Sequence, residues 1–208
     1  FKPAPADTGL VFVREDIEGD NLINAHIKYI SNTDRGTNLD NGFFRIHTSE
    51  HVLAAITGLE IDNCFICLDG PEVPIMDGSS KYFINALEEA KIVEQNVLRE
   101  EFFPSEPISY LCEDSGSKIS IIPDDNYKVN TIVDYKTKVL GEQEASINHI
   151  SEFKKEISSA RTFSFLHELE TLLENGLIKG GDLNNAIVYV DKPLAESNMD
   201  ILKKAFNK

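Results

Sequence analysis

Apolar residues recur along this chain with two periodicities, which together predict a mixture of strands and helices. Helical spacing runs through residues 50–59 and 80–90, where apolar side chains return every three or four positions. Short runs rich in β-branched and aromatic residues predict strands instead. In the first half of the chain these strands fall at 11–14, 25–30, 43–47 and 63–68.

A charged, irregular stretch at residues 94–107 separates these elements from a second set. Strands are predicted there at 108–113, 118–122, 129–135, 145–149 and 185–190, and helices at 151–156, 166–174 and 199–206. Both halves run strands, helix, strand, helix, although no sequence repeat links them. The pattern predicts an α+β protein with two domains, residues 1–98 and 99–208.

Glu50 and His51 stand where a polar segment becomes the first predicted helix. Thr48 or Ser49 is expected to be the N-cap, with a hydroxyl that accepts from the unpaired N–H groups of the first turn. The dyad would then lie at the rim of the helix. A neutral imidazole is a common zinc ligand, and a carboxylate beside it can take a proton from metal-bound water.

His47 precedes His51 by four residues, so the same string also reads H-x-x-E-H, the pattern of inverted zinc peptidases. That geometry requires all five residues on one helix. Thr48 and Ser49 are poor interior helix residues and good caps, so we expect His47 to fall before the helix. The alternative without chemistry is a pair of surface histidines.

Two further segments stand out. Residues 70–80 combine two prolines, two glycines and a central apolar triplet, which predicts a fixed irregular loop. Within it Asp77-Gly78 is a turn signal and Ser79 or Ser80 can cap the next helix, so Asp77 has either a turn role or a supporting role near a site. The string S-A-R-T-F-S-F at 159–165 lies between two helical runs.

These segments together resemble the zinc-dependent UDP-3-O-acyl-N-acetylglucosamine deacetylases of bacterial lipid A synthesis. The matching strings are T-S-E-H-V-L-A-A-I-T-G-L-E-I-D-N (48–63), P-E-V-P-I-M-D-G-S (71–79), I-S-S-A-R-T-F-S-F (157–165) and G-L-I-K-G-G-D-L-N-N-A-I-V (176–188). The resemblance covers nearly all of the chain, and these strings occur in the order of the family. Residues 190–208 resemble, more weakly, the variant fused to a 3-hydroxyacyl-[acyl-carrier-protein] dehydratase.

The resemblance implies a role for individual residues. It implies that His51 is a zinc ligand, that Glu50 is the general base and that the Thr162 hydroxyl helps to hold the developing oxyanion. Phe163 would touch the substrate, and the acyl chain would lie along Leu166, Leu169 and Gly181. The alternative for Thr162 and Phe163 is an ordinary loop threonine and a core phenylalanine.

The resemblance also implies a setting for these residues. Two similar layered domains would pack face to face with the site between them. Zinc would be the cofactor, the substrate would be a UDP-sugar lipid precursor, and the enzyme would be cytoplasmic. A fused dehydratase domain and acyl carrier protein are the implied partners.

One part of the family pattern does not occur in this sequence. The family takes two more zinc ligands from an H-K-x-x-D helix and uses a still later histidine, whereas the remaining histidines here, His26, His149 and His167, fit neither motif. The N-terminal G-L-H-T-G turn of the family is not found either. We therefore expect the chain to be an internal fragment that neither retains zinc nor catalyses by itself.

Composition and charge mainly exclude functions. The 20 basic and 35 acidic residues give a net charge of −15, which argues against nucleic acid and against a basic membrane-binding surface. No apolar run reaches the ~18 residues of a transmembrane segment. Three cysteines indicate a reducing compartment. Cys64 and Cys67 would point to opposite faces of a strand and could not share a metal.

Three functions from different classes follow from the sequence. The first is a deacetylase in which water attacks an N-acetyl carbonyl and Glu50 takes the proton. The second is a zinc peptidase of the H-x-x-E-H type, which depends on one string alone. The third is a non-catalytic pair of domains that presents a protein-binding surface. Four ordered motifs favour the first.

Overall fold

The computed structural model describes residues 1–33, 36–169 and 184–192. Gly181, the predicted helix at 199–206 and most of the predicted helix at 166–174 lie outside these ranges. Within them the chain forms several small sheets, three short α-helices and a helical turn at 166–169. This mixture confirms the predicted α+β class.

A four-stranded sheet with the order β1-β7-β2-β3 is the centre of the N-terminal region, residues 1–90. Its strands are β1 (Lys2–Pro3), β2 (Leu10–Arg14), β3 (Leu22–Asn24) and β7 (Cys64–Leu68). The central pair, β2 and β7, is parallel, with Leu10 opposite Cys64 and Arg14 opposite Leu68. A parallel pair requires a crossover connection, and the segment between these strands contains helix α1 (Glu50–Gly58).

A second sheet, of three antiparallel strands, lies in the same crossover. It consists of β4 (Ile30–Asn32), β5 (Asn38–Asp40) and β6 (Arg45–Ile46). The predicted strand at 25–30 is wrong, because His26 accepts a hydrogen bond from the Lys28 N–H and caps a 3-10 turn at Ile27–Tyr29. The last pair of the sheet, Leu39 opposite Ile46, leads the chain directly to the start of α1.

Helices α1 and α2 (Lys81–Glu89) close the core of the N-terminal region. Both lie within two residues of their predicted bounds. The side chains of Phe12, Ile46 and Ile56 are fully buried in this core. Burying one such side chain contributes about 1.5–3 kcal/mol. The spacing of apolar residues that predicted these helices is therefore the spacing that covers the sheets.

Two antiparallel ribbons form the first part of the C-terminal region, here the described residues 108–169 and 184–192. One pairs β8 (Ile108–Leu111) with β9 (Lys118–Ile121), and the other pairs β10 (Val129–Asp134) with β11 (Glu142–Ile147). All four strands were predicted. In the described part of the chain neither ribbon gains a third strand.

The two regions meet where Phe153 packs against helix α1. Phe153 begins helix α3 (Phe153–Glu156), which follows a 3-10 turn at Ile150–Glu152 rather than forming the single helix predicted at 151–156. A Cβ atom built on Gly58 would overlap the Phe153 ring. Lys154 also pairs with Glu88 at 2.6 Å. Gly58 therefore allows the close approach of the two helices.

Polar contacts fix the connection between the regions as well. Arg99 Nε donates to Asp62 Oδ1 at 2.6 Å, and Arg99 Nη2 donates to the Glu60 carbonyl oxygen at 2.6 Å. Gln95 likewise donates to the Ala4 carbonyl oxygen at 2.9 Å. The first residues of the irregular stretch predicted at 94–107 thus lie against the N-terminal region.

No described helix has the length and apolar character that a membrane span requires.

Candidate active site

The chain enters helix α1 through an extended residue and a left-handed turn. The backbone of His47 pairs with that of Glu72 in a parallel bridge, and Thr48 follows with φ +60°. His47 Nδ1 lies 3.0 Å from Asn38 Oδ1. His47 is therefore outside the helix, as expected, and the one-helix geometry that a peptidase of the H-x-x-E-H type requires is absent from these residues.

Ser49 is the N-cap residue, but the predicted capping bond is wrong. No side-chain cap is made, because the Ser49 hydroxyl donates instead to the Thr37 carbonyl oxygen at 2.8 Å. The Thr48 hydroxyl is also directed elsewhere, to Glu72 Oε1 at 3.0 Å. The sheet that precedes α1 brings the Thr37 carbonyl within reach, and this tertiary contact replaces the local cap.

Glu50 and His51 lie together at the first turn of α1. Glu50 Oε1 is 3.9 Å from His51 Nε2, and their side chains are 34% and 16% exposed. The other oxygen, Glu50 Oε2, accepts from the Thr37 N–H at 2.8 Å. One carboxylate oxygen is thus anchored, and the other lies beside a partly exposed imidazole. This arrangement allows the carboxylate to accept a proton beside an imidazole that is accessible to a metal ion.

The loop at residues 71–79 begins beside the dyad. His47 N–H donates to the Pro71 carbonyl oxygen at 2.8 Å, and Val73 N–H donates to the His47 carbonyl oxygen at 3.1 Å. Further along, Asp77 Oδ1 accepts from the hydroxyl and the N–H of Ser79 at 2.6 and 3.1 Å. These contacts give Asp77 a turn role at the entry to α2.

The same loop ends against Thr162. Thr162 N–H donates to the Gly78 carbonyl oxygen at 2.7 Å, and Arg161 Nε donates to the Asp77 carbonyl oxygen at 2.6 Å. A Cβ atom on Gly78 would overlap the Asn185 carbonyl oxygen and stand 2.9 Å from Thr162 Cγ2. Because Gly78 also has φ +81°, only glycine fits there without strain. The loop therefore runs from the dyad to Thr162.

Phe163 and the residues after it belong to a group of aromatic side chains. Phe163 lies in β12 (Phe163–Phe165), which pairs in parallel with β13 (Ile187–Tyr189). The ring of Phe163 contacts those of Tyr135 and Tyr189 edge to face, with centroids 5.3 and 5.7 Å apart. Leu166 and Leu169 are buried nearby in the chain. Strand β12 was not predicted from the sequence.

A histidine and an aspartate close this aromatic group. His167 Nδ1 lies 2.8 Å from Asp191 Oδ1, and its ring stacks on that of Phe165 with centroids 5.7 Å apart. Burial is the largest single influence on Asp191 and raises the pKa of its carboxyl, but the hydrogen bond from His167, the nearby positive charge and a backbone hydrogen bond together outweigh burial and lower the pKa. The sequence offered no signal for this contact, because the two residues are 24 positions apart.

The described residues do not assemble a complete metal site by themselves. Within residues 1–33, 36–169 and 184–192, no three or more His, Cys, Asp or Glu side chains converge so that they could hold a metal ion. His51 fits the role of one ligand, because its imidazole is partly exposed beside the Glu50 carboxylate. Cys64 is buried in the core and Cys67 is half-buried.

Comparison with known proteins gives a consistent result. The sequence model of the UDP-3-O-acyl N-acetylglycosamine deacetylase family, LpxC, matches residues 1–203. The chain is 40% identical over 202 residues to the bifunctional enzyme LpxC/FabZ of Porphyromonas gingivalis, covering 97% of this chain and 44% of that protein. The corresponding enzyme of Chlorobaculum tepidum is 43% identical over 203 residues, with the same coverage.

A relative without the bifunctional name matches at a similar identity. The UDP-3-O-acyl-N-acetylglucosamine deacetylase of Acidithiobacillus ferrooxidans is 40% identical over 194 residues, which are 92% of this chain and 63% of that enzyme. The chain thus spans about half the length of these relatives. Since the family match covers nearly every residue, the chain belongs to the UDP-3-O-acyl N-acetylglycosamine deacetylase family.

Proposed function

We propose that the enzyme carrying this chain removes the N-acetyl group from UDP-3-O-(3-hydroxyacyl)-N-acetylglucosamine by hydrolysis, the committed step of lipid A biosynthesis. The observation that carries the proposal is the dyad at the start of α1, where Glu50 Oε1 lies 3.9 Å from His51 Nε2. The name of the Acidithiobacillus ferrooxidans relative supports the reaction and the substrate.

Glu50 is the general base of this reaction. Its Oε1 takes a proton from the attacking water, and the resulting carboxyl can return that proton to the leaving amine. His51 contributes one ligand to zinc, with further ligands from outside the described residues. Zinc, when bound, would polarise the acetyl carbonyl and lower the pKa of the water. Partial exposure of both side chains leaves the dyad open to a substrate.

The remaining predicted residues stabilise the oxyanion or contact the substrate. The Thr162 hydroxyl stabilises the oxyanion that develops on the acetyl carbonyl. Phe163 contacts the substrate, and Leu166, Leu169 and Gly181 line the passage for the acyl chain. The loop at 71–79 supports this assignment, because it contacts the entry to α1 at one end and Thr162 at the other. The site would then lie between domains 1–98 and 99–208.

Partners and location follow from the same proposal. A UDP-sugar lipid precursor is the substrate, and we infer a cytoplasmic enzyme. A second, fused activity is supported by the relatives that carry the bifunctional name LpxC/FabZ. The acidic net charge of −15 fits neither a nucleic-acid partner nor a basic membrane-binding surface.

Replacing Glu50 by Gln tests the base assignment. The change keeps the size of the side chain and removes its proton-accepting carboxylate. Turnover should fall by about 10²–10⁴, with KM close to that of the wild type, because the acyl passage and sugar contacts are unchanged. Steady-state kinetics on the purified variant measures both. A Glu50→Gln enzyme that turns over like the wild type would exclude Glu50 as the base.

Two histidine variants test the zinc ligand. In the full-length enzyme, His51→Ala should deplete zinc, whereas His47→Ala should leave the zinc content intact because the His47 ring contacts Asn38 outside the helix. Metal analysis of the two purified variants, with the wild type alongside, provides the comparison. Equal zinc loss in both variants would instead favour the peptidase-like ligand pair.

A further inference from the structure

The Ser49 hydroxyl makes a hydrogen bond that is unusual for an N-cap residue. Serine at the N-cap of a helix normally accepts from an unpaired N–H of the first turn. Here the side chain is fully buried, and its hydroxyl donates away from the helix to the Thr37 carbonyl oxygen at 2.8 Å. The Ser49 N–H donates to the same oxygen at 3.1 Å. Two donors from one residue therefore occupy both lone pairs of one carbonyl.

Thr37 is held from its other side by Glu50. The Thr37 N–H donates to Glu50 Oε2 at 2.8 Å. Thr37 stands immediately before β5, so the sheet fixes the chain on its C-terminal side. Once Ser49 has fixed the Thr37 carbonyl, only the two soft backbone dihedrals of Thr37 remain to orient its N–H.

We propose that Ser49 is a positioning residue for the proposed deacetylation: it fixes Thr37, and the Thr37 N–H in turn holds the Glu50 carboxylate in its reactive orientation. This inference rests on the proposed role of Glu50 as base. Glutamate has several rotatable bonds and would otherwise sample several rotamers at this partly exposed position. Anchoring Oε2 leaves Oε1 as the oxygen that faces His51 Nε2, 3.9 Å away.

The neighbouring residue keeps the space around Oε1 open. A Cβ atom on Gly36 would stand 3.4 Å from Glu50 Oε1. The same Cβ atom would stand 3.7 Å from Glu50 Oε2, so with glycine there the carboxylate meets no side chain from the segment that carries Thr37. The anchored and the open oxygen of Glu50 are thus both defined by the segment that Ser49 fixes.

The Ser49→Ala variant tests the first link, and amide hydrogen exchange at Thr37 is the direct readout. The matched control is Ser31→Ala. The Ser31 hydroxyl donates to the carbonyl oxygen of Asn38, the residue after Thr37, at 3.4 Å. Ser49→Ala should raise the exchange rate of the Thr37 amide by roughly tenfold, since opening becomes easier when the carbonyl is released. Ser31→Ala should leave it unchanged.

Kinetics then separate positioning from folding. In the active enzyme Ser49→Ala should lower kcat by about tenfold with KM within about twofold, because a misplaced base slows the reaction without weakening substrate binding. Ser31→Ala should keep both constants. A loss of kcat of the same size in Ser31→Ala, or a Ser49→Ala variant whose KM rises while kcat stays constant, would overturn the proposal.

Glu50→Ala tests the second link without relying on Ser49. Because the Glu50 side chain is partly exposed, its truncation should not unfold the chain, and the Thr37 amide should exchange faster than in the wild type. Unchanged exchange would show that the carboxylate does not hold this N–H and would overturn the proposal. The exchange measurement does not depend on catalysis. If Glu50→Gln kept full turnover, the assignment of Glu50 as base would fail. Exchange of the Thr37 amide would still show whether Glu50 holds the Thr37 N–H.

Discussion

The N-terminal region and the two C-terminal ribbons contain similar apolar strands but bury them very differently. Phe12 and Ile46 are fully buried beneath helices α1 and α2. On the first ribbon, four side chains share one face and remain between 49% and 66% exposed: Ile108, Tyr110, Ile119 and Ile121. Strand-forming sequence is thus common to both regions, and a covering layer distinguishes them.

This difference has an energetic consequence. A two-stranded ribbon satisfies half of its backbone groups and buries little apolar surface, so by itself it is marginally stable. The N-terminal region combines two sheets and two helices around one core. We therefore expect the stability of the described chain to reside mainly in residues 1–90, where the Glu50–His51 dyad also lies.

The largest effect should come from matched truncations in the two regions. Ile56→Ala removes a fully buried side chain and should lower the free energy of unfolding by about 2–5 kcal/mol. Ile119→Ala removes a side chain that is 64% exposed and should change it by less than about 0.5 kcal/mol. Urea unfolding of the two variants measures the difference. Equal losses would show that the ribbon face is covered in solution.

A smaller effect should come from the contact that joins the regions at Gly78. Gly78→Ala adds left-handed backbone strain and a Cβ atom that overlaps the Asn185 carbonyl oxygen, and should cost about 2–4 kcal/mol. Gly42→Ala is the matched control, because Gly42 has φ +89° but open space around it. The control should cost about 1 kcal/mol from strain alone. Thermal unfolding measures both variants. If Gly78→Ala and Gly42→Ala lost equal stability, the contact with Asn185 would contribute nothing to the cost.

The pair of His167 and Asp191 should make the C-terminal region sensitive to acid. Because the folded pKa of Asp191 is lowered, its contribution to stability is present above the ordinary carboxyl pKa of about 3.9 and is lost as pH falls through the lower folded value. Asp191→Asn should therefore be less stable than the wild type at neutral pH, and the two melting curves should converge towards pH 3. A constant gap between their melting temperatures at all pH values would contradict this linkage.

Much of this arrangement could be predicted because it is local. The spacing of Val52, Ile56 and Leu87 indicated the two helices, and the strands β2 and β7 followed from runs of β-branched and aromatic residues. The position of Glu50 at the first turn of α1 followed from the cap signals before it. In each case the residues that decide the structure lie within a few positions of one another.

The contacts that the sequence did not predict are made between distant residues. The sequence predicted that the Ser49 hydroxyl would cap the helix. Its actual acceptor, the Thr37 carbonyl oxygen, lies twelve positions earlier and is brought close to Ser49 only by the sheet β4-β5-β6. Strand β12 was missed because its partner β13 lies more than twenty residues later. The 3-10 turn at Ile27–Tyr29 was missed because a single histidine side chain decides it. Tertiary partners override local preference in the first two cases.

The smallest effect should come from the polar contacts by which Arg99, in the stretch that connects the two regions, holds on to the N-terminal region. Its guanidinium donates to Asp62 at 2.6 and 3.2 Å and to the Glu60 carbonyl oxygen at 2.6 Å, but the side chain is 39% exposed. Exposed ion pairs contribute about 0.2–1 kcal/mol, and salt screens them. Arg99→Ala should therefore lower the free energy of unfolding by at most about 1 kcal/mol, and less at 0.5 M NaCl.

Lys155→Ala is the control for this prediction. Lys155 pairs with Glu156 but remains 87% exposed, so the change should be neutral. If Arg99→Ala cost as much as Ile56→Ala, the connection rather than the core would dominate the stability of the N-terminal region, and the contrast between the two regions would have to be explained by their linkage.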